Sequence, residues 1–507
     1  MMMFAPTRHR CNTMHAPMSQ RAAHRGSVVV VVVWAVAVAA VLVSATQIVT
    51  FRQAVVGRET LARVQARWAA RAGVEQMVAI MEFHLQNADP DDPMAVVRDM
   101  EEHATGTTAT GSWDIRHFLD GLEWAGPLDE GAKLNINVAT SVQLTNIPNM
   151  TPDVVDAIVD WRDADDNVQG LGAESDYYSN RSLGYKPRNG NFRSFAELEL
   201  VAGAWPLYVR GEDWNLNGRL DPNENDGNKS FPNDKPDGKL DGGWSKFLTA
   251  TSVQSPMSLS GEDKLPLKGA DPESLTKRLG IDAEQAKALA TYGNQPNAKP
   301  EALIATPLSQ LSASGAGGSS GTGGTGGARG STGGKTGGST SGRGSTSAGG
   351  SSSAGGGSSG RSSSGRSSGG TGGTSAVADL TNAQLRAVLR ETTADDFTKP
   401  VPGRMNINTV PDSVLKEVLE IDPRLADAII ARRRAKPEGI TSLADLSDMS
   451  GINPTVLTQL ASQFDVTSSV YTVTSRGRAA TTGAEVEIEA VVDKSQLPAK
   501  IISYREQ

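Results

Sequence analysis

The sequence predicts an α+β fold in which a long N-terminal transmembrane helix packs on a small antiparallel sheet, interrupted by a large, mostly α-helical insertion. Three observations predict it: an apolar run opens the chain, strand-like alternation occurs near residue 115 and again after residue 470, and a motif recurs between these regions. One sheet packed on one helix needs strands from both ends of the chain, so the residues between them are expected to form an insertion.

The apolar run begins after three basic side chains. No ionisable side chain occurs from Gly26 to Phe51, which is long enough for a helix to cross about 30 Å of hydrocarbon at about 1.5 Å per residue. Arg21 and Arg25 precede the run and no acid lies upstream, so the positive-inside rule keeps the first residues in the cytoplasm and directs the rest of the chain across the membrane in a single pass.

Two interpretations of this start remain open. One is a cleaved secretory signal or a plain signal anchor. The other is a leader of the prepilin type, residues 1–26, cut between Gly26 and Ser27 so that the apolar helix stays on the mature protein. The Arg25-Gly26-Ser27 junction before a valine-rich run favours the second interpretation.

A single helix is predicted for residues 27–90. Apolar residues recur with helical spacing, and no proline interrupts the chain until Pro90. The recurring positions are Leu61, Val64, Trp68, Met77 and Met81, and they predict an amphipathic second half of the helix whose apolar face packs on a globular domain. Two helices meeting near Gly57 are the alternative.

Strands are predicted on both sides of the insertion. In residues 91–132, Asp120-Gly121 separates two strand-like runs and predicts a hairpin. In residues 466–507, apolar residues alternate with glutamates from position 485 and predict a one-sided strand, with further strands before and after it.

The insertion contains an internal repeat of helix-hairpin-helix type. Residues 133–137 recur as 404–408, and the spacing of 271 residues also relates Asp156 to Asp427; a weaker copy follows Lys264. The predicted parts are a helical insertion with calcium loops (133–312), a flexible Gly/Ser-rich linker (313–376) and the last helical repeat (377–465).

The segment 213–224 fits the twelve-residue calcium loop, which needs oxygen ligands at alternate positions, a turn glycine at position six and a closing glutamate. The predicted ligands are Asp213, Asn215, Asn217, Arg219 through its carbonyl, Asp221 and Glu224. Additional candidate ligands are Asp165, Glu174 and Asp176 in an acidic insert and Asn233, Asp237 and Asp241 in a second loop. A solvated acidic loop is the alternative in each case.

Nucleic-acid binding and catalysis are not expected. The formal charge of the full chain is −8, and the first hairpins of the two main copies lack the glycine that brings a phosphate close to the backbone. The histidines show neither metal-ligand spacing nor a neighbouring nucleophile. The sequence therefore predicts a non-enzyme, and a membrane-anchored helix-hairpin-helix protein for DNA binding or uptake remains the alternative.

Taken together, these features resemble protein K of bacterial type II secretion, a family of minor pseudopilins. The resemblance rests on the leader junction, the Leu134-Asn135-Ile136-Asn137 motif, residues 160–165 and 172–178, and residues 185–190. It implies a pilin-like domain, cleavage and N-terminal methylation by prepilin peptidase, and bound calcium. It also implies a place with other minor pseudopilins at the pseudopilus tip, where assembly and protein export across the outer membrane begin.

The resemblance also explains one position in the apolar run. Other pseudopilins carry a glutamate five residues into the mature chain, whereas protein K lacks it, and Val31 stands there in this sequence. An unpaired carboxylate inside a membrane is unfavourable, so its absence suits a subunit with no neighbour above it. The 213–224 loop, the weaker repeat and the Gly/Ser-rich linker depart from the family pattern.

Overall fold

The computed structural model describes residues 24–181, 184–315, 377–419, 421–449 and 451–507. The helices are α1 (His24–Gln86), α2 (Ala95–Glu102), α3 (Ser141–Thr145), α4 (Pro152–Arg162), α5 (Ser175–Asn180), α6 (Pro206–Arg210), α7 (Pro272–Leu279), α8 (Ala283–Gly293), α9 (Ala302–Ala305), α10 (Leu308–Gly315), α11 (Asn382–Glu391), α12 (Pro423–Arg434) and α13 (Pro454–Gln463). The strands are β1 (Thr105–Thr107), β2 (Gly111–Leu119), β3 (Leu122–Ala125), β4 (Leu128–Asp129), β5 (Leu134–Asn135), β6 (Leu248–Thr249), β7 (Leu265–Pro266), β8 (Thr392–Thr393), β9 (Met405–Asn406), β10 (Phe464–Asp465), β11 (Val470–Ala479), β12 (Glu485–Asp493) and β13 (Lys500–Glu506). The predicted leader before His24 and most of the Gly/Ser-rich linker lie outside the described residues.

The N-terminal helix is continuous, so the prediction of one helix is confirmed and the alternative of two helices is wrong. Its first half is apolar and fully exposed, as expected of a membrane span. The second half was assigned the wrong buried face, because Leu61, Val64 and Trp68 are exposed. The buried face consists largely of small residues, with Met77 and Met81 at its end, and its alanines are Ala62, Ala66, Ala69 and Ala70.

Small residues are needed because α1 lies almost in backbone contact with the sheet. A Cβ atom at Gly477 on β11 would stand 2.0 Å from the carbonyl oxygen of Ala66 and 2.3 Å from the nitrogen of Ala70. A Cβ at Gly73 would stand 2.5 Å from the hydroxyl of Ser475. Larger side chains would hold the two surfaces apart, so the alanine and glycine positions set the packing distance.

The main sheet is antiparallel and combines strands from both ends of the chain, as predicted. Its order is β1-β2-β11-β12-β13, with β3 beside β2 and β4 beside β11. The predicted hairpin joins β2 to β3, and Asp120 and Gly121 both have positive φ, as a two-residue turn of type I′ requires. Ile115, Val473, Ile488 and other apolar side chains of the sheet pack on α1 and α2 in one buried core.

The helical insertion contains three copies of one unit. Each copy opens with a two-residue strand and closes with a parallel partner: β5 with β6, β7 with β8, and β9 with β10. The second helices, α4, α8 and α12, begin at the spacings that separate the sequence motifs. The structure thus confirms that the weaker second copy has the same architecture.

Matching side chains make the same internal hydrogen bonds in the first copy and in the last copy. Arg162 donates to the carbonyl oxygens of Ile136 and Ala139. At the equivalent positions of the last copy, Arg433 donates to the carbonyls of Ile407, at 3.1 Å, and Val410, at 2.6 Å. In both copies the first turn after the opening strand is therefore fixed by an arginine at the end of a helix.

The second copy has no arginine at this position, and its helix instead packs directly against the backbone that follows the opening strand. Gly293 stands at the position of Arg162, and a Cβ atom there would lie 2.2 Å from the carbonyl oxygen of Leu267. Residues 377–397 belong to this copy, because β8 pairs with β7, whereas the sequence assigned them to the last repeat. The second copy contributes most of a compact unit formed by Glu262–Phe397 and Ser442–Ser462, and the pilin-like sheet belongs to the other unit.

Candidate calcium sites

The predicted processing site lies at the start of α1. Gly26 and Ser27 are in its first turns, and exposed valines follow directly, including Val31. The helix carries no charged side chain through this exposed region. An apolar helix that the folded domain leaves uncovered is the arrangement expected of a membrane anchor.

Three carboxylates converge between the helices of the first copy. One oxygen each of Asp160, Asp163 and Glu174 lies within 4.8 Å of the other two. Asp160 comes from the last turn of α4, Asp163 caps that helix, and Glu174 precedes α5. The helix ends and the short connecting loop thus bring the three side chains to one point.

Two of these carboxylates are buried and incompletely paired. Asp160 is 0% exposed and Glu174 is 2% exposed. Within the described residues, neither oxygen of Glu174 and only one oxygen of Asp160 has a hydrogen-bond partner. Buried carboxylate oxygens are normally paired, so this arrangement fits a divalent cation that prefers oxygen ligands.

The electrostatics of these three carboxylates also fit a bound divalent cation. Burial, together with the neighbouring Asp160, raises the pKa of Glu174 to about 7. Burial also raises the pKa of Asp160. Three like charges held this close repel one another, and a cation between them would remove the repulsion.

Only one residue predicted from the acidic insert belongs to this cluster. Glu174 is part of it, whereas Asp165 and Asp176 contribute no oxygen. Asp165 instead accepts from the backbone and side chain of Asn167. Asp160 was not among the predicted candidates, although its place one turn before Asp163 on a predicted helix would have put both on one face.

The predicted calcium loop has the backbone turn that such a loop requires. The carboxylate of buried Asp213 accepts from the nitrogens of Asn217 and Gly218, both at 3.0 Å, and Gly218 has φ of 66°. Asn215 accepts from the nitrogen of Asn217 at 2.9 Å. These bonds turn the first half of the loop around Asp213.

The second half of the loop closes on the same centre. Glu224 is 1% exposed and accepts from the nitrogens of Trp214 and Asp221, at 3.0 and 3.2 Å. Burial and the neighbouring Asp213 raise the pKa of Glu224 to about 7, and burial raises that of Asp213 to about 6. The side chain of Arg219 points away to Asp114, which leaves its carbonyl for the seventh position.

The second predicted loop is open. Asn233, Asp237 and Asp241 are all exposed. Asp237 accepts from the nitrogen of Lys239, and Asp241 pairs with Lys246 at 3.2 Å. Their oxygens are engaged locally, so this loop fits a cation less well than the other two sites.

The fold defines a class of protein: a pilin-like subunit with an N-terminal helix of membrane-spanning length and a helical insertion in its domain. Residues 134–210 match the family model of protein K of the type II secretion system, and residues 403–465 match the helix-hairpin-helix motif. The first match confirms the resemblance to protein K and supports a role as a minor pseudopilin.

A chain of the crystal structure of the GspK-GspI-GspJ complex from the enterotoxigenic Escherichia coli type 2 secretion system is 11% identical, with a TM-score of 0.39 over 87% of this chain and 96% of that chain. No curated protein gives a significant match.

Proposed function

We propose that this chain is the minor pseudopilin that ends a type II secretion pseudopilus, with α1 in the inner membrane and the remaining domain in the periplasm. The observation that carries the proposal is the run of α1 from Gly26 to Phe51, which has no ionisable side chain and has Val31 where other pseudopilins have a glutamate. Without that carboxylate the helix has no partner for the N-terminal ammonium of a subunit above it.

The side chains of His84, His103 and His117 have structural partners, which supports a role in assembly rather than catalysis. His84 lies 3.1 Å from Asp99, and His103 contacts the same carboxylate at 3.0 Å. His117 is buried, bonds the carbonyl of Gly126, and its pKa falls to about 4 because of that burial. A neutral, anchored imidazole of this kind stabilises the hairpin.

The position in the filament can be tested directly by gold-labelling an epitope-tagged chain on pseudopili assembled with the other minor pseudopilins. The proposal predicts label at one end of each filament. Label along the shaft would contradict it. The variant Val31→Glu serves as the sharper probe, because the restored carboxylate is expected to admit the chain to internal positions.

We further propose that both acidic sites bind calcium. Calorimetry on the full chain in detergent should show two calcium ions, with one lost in Glu174→Gln and the other in Asp213→Ala. Asp165→Asn is the matched control for the first site, because Asp165 gives no oxygen to that cluster. Unchanged stoichiometry in both ligand variants would overturn the calcium assignment.

The helix-hairpin-helix match gives the alternative of DNA binding one specific point of support, since Gly451 in the second hairpin of the last copy has φ of 92°. The basic end of α12 is already engaged, however. Arg433 holds the repeat together, and both Arg433 and Arg434 pair with Asp412. Arg433, which is 9% exposed, is therefore not free to contact a phosphate, and the charge of the exposed Arg434 is partly neutralised by Asp412.

A further inference from the structure

The 213–224 loop is bound to the pilin-like sheet by three consecutive backbone carbonyls. The carbonyl of Leu216 accepts from Arg505 at 3.3 Å, that of Asn217 from the hydroxyl of Thr474 at 2.9 Å, and that of Gly218 from the nitrogen of Phe118 at 2.7 Å. The three donors lie on β13, β11 and β2. The tip of the loop is thus docked across the sheet that both ends of the chain build.

One predicted calcium ligand, Asn217, also contacts a fourth strand of the sheet, β12. The amide nitrogen of Asn217 donates to Glu487 on β12 at 2.7 Å and to Asp221 in the loop at 3.0 Å. Arg476 on β11 donates to the other oxygens of the same two carboxylates, at 2.8 Å to Glu487 and 2.6 Å to Asp221. Asn217 is 2% exposed and Glu487 is 9% exposed, so this network is largely removed from water.

The two ends of the Asn217 amide therefore face different parts of the molecule. Its oxygen accepts within the loop, from the nitrogen of Arg219 at 2.8 Å, whereas its nitrogen donates both to Asp221 in the loop and to Glu487 in the sheet. A cation that fixes the amide oxygen also fixes the direction of the amide nitrogen, because the group is planar. Among the residues that the structure describes, Asn215 has no such link to the sheet, since its amide nitrogen donates to Asp221 within the loop.

From these contacts we infer that calcium in the 213–224 loop locks the insertion onto the C-terminal strands, with the Asn217 to Glu487 hydrogen bond as the coupling contact. The inference rests on the proposed calcium loop. Because coupling is reciprocal, the cation stabilises β12 and β13 to the same extent that the docked sheet favours cation binding. The strands that close the pilin-like domain would then be fully ordered only when calcium is present.

Hydrogen exchange measured by mass spectrometry on the full chain in detergent, with calcium or a chelator, tests the lock. Calcium should slow amide exchange in β12 and β13 of the wild type. Asn217→Asp keeps an oxygen ligand but loses the donor to Glu487, so it should bind calcium in calorimetry without protecting these strands. Asn215→Asp is the matched control and should retain both binding and protection.

A second variant guards against misfolding of Asn217→Asp, in which a new carboxylate faces Glu487. Glu487→Ala leaves every loop residue in place, and it should abolish the protection and weaken calcium binding by about five- to tenfold. If calcium slows amide exchange in β12 and β13 of both Asn217→Asp and Glu487→Ala as much as in the wild type, the inferred coupling is wrong, although the calcium site itself is not contradicted. If Asp213→Ala binds as many calcium ions as the wild type, the loop binds none, and the inferred coupling is then wrong as well.

Discussion

Arg433 holds the carbonyl of Ile407 in the last helical copy as Arg162 holds the carbonyl of Ile136 in the first. A second pair of bonds is also duplicated. Asn137 exchanges hydrogen bonds with the backbone of Phe192, and Asn408 does the same with Ile440. The repeat is therefore a conserved set of side-chain to backbone contacts within this one chain, and it explains why the motif residues recur.

Arg433→Ala should destabilise the chain, because it leaves the carbonyls of Ile407 and Val410 without their donor. Each unsatisfied buried carbonyl costs about 1 to 3 kcal/mol, which chemical denaturation can measure. Arg434→Ala is the control, since that side chain is 66% exposed. It should change the free energy of unfolding by less than about 0.5 kcal/mol, and an equal effect of both variants would contradict the role of Arg433.

Gly477→Ala should prevent α1 from packing on β11. A methyl group there would meet the backbone of Ala66 at 2.0 Å, and backbone atoms cannot move aside as a side chain can. We expect a loss of several degrees in the melting temperature or failure to fold. Gly57→Ala, on α1, is the control: an added Cβ atom there would have no neighbour within 4 Å, so the variant should be neutral or slightly stabilising. Comparable melting of the Gly477→Ala variant and the wild type would refute this packing.

Without calcium, stability should fall as the pH rises from about 4.5 to about 7. The pKa of Glu174 is about 7 in the folded chain and 4.5 ordinarily, so the folded state holds its proton more tightly than the unfolded state does. That contribution is complete below pH 4.5, reaches at most about 3 kcal/mol, and is lost as the carboxyl ionises. Glu224 contributes in the same direction.

Thermal melting across this pH range in a chelator checks the sign. Glu174→Gln should flatten the pH dependence, whereas Asp165→Asn should leave it unchanged. Calcium should restore stability at pH 7 in the wild type but restore less in Glu174→Gln, which retains only the 213–224 site. A steeper pH dependence in Glu174→Gln would contradict the burial of this carboxyl.

Duplex DNA should not bind the chain measurably at physiological salt. The full sequence has a formal charge of −8, and Arg433 and Arg434 are already paired. Fluorescence anisotropy over a range of salt concentrations provides the measurement. Binding that weakens steeply with salt would indicate phosphate contacts and would favour the alternative of a DNA-binding protein.

The sequence predicted the architecture because its signals are periodic or repeated. The apolar run, the alternation around Ile488 and the repeated Asn135 and Asn406 motif each specify a local structure. It failed on the buried face of α1, because alanine carries little hydrophobic signal and the helical pattern favoured Leu61 and Trp68. Only the close approach of Gly477, a residue more than 400 positions away, makes the alanine face the buried one.

The candidate sites also differ in how much of each could be predicted from the sequence. The 213–224 loop could be found because its candidate ligands follow one another at fixed positions. The Asp160 cluster was found only in part: the spacing of Asp160 and Asp163 indicates that they share a helix face, but nothing in the sequence indicates that Glu174, at the start of the next helix, meets them. The contact between Asn217 and Glu487 joins residues 270 positions apart and has no signature in either segment.

Whether the chain is a processed filament subunit can be measured by intact-mass spectrometry of the protein purified from cells that contain prepilin peptidase. We expect a mature protein that begins at Ser27 with one added methyl group, and an uncut chain when Gly26 is replaced by valine. A mature protein that begins at Met1, or one cut after the apolar run, would contradict it.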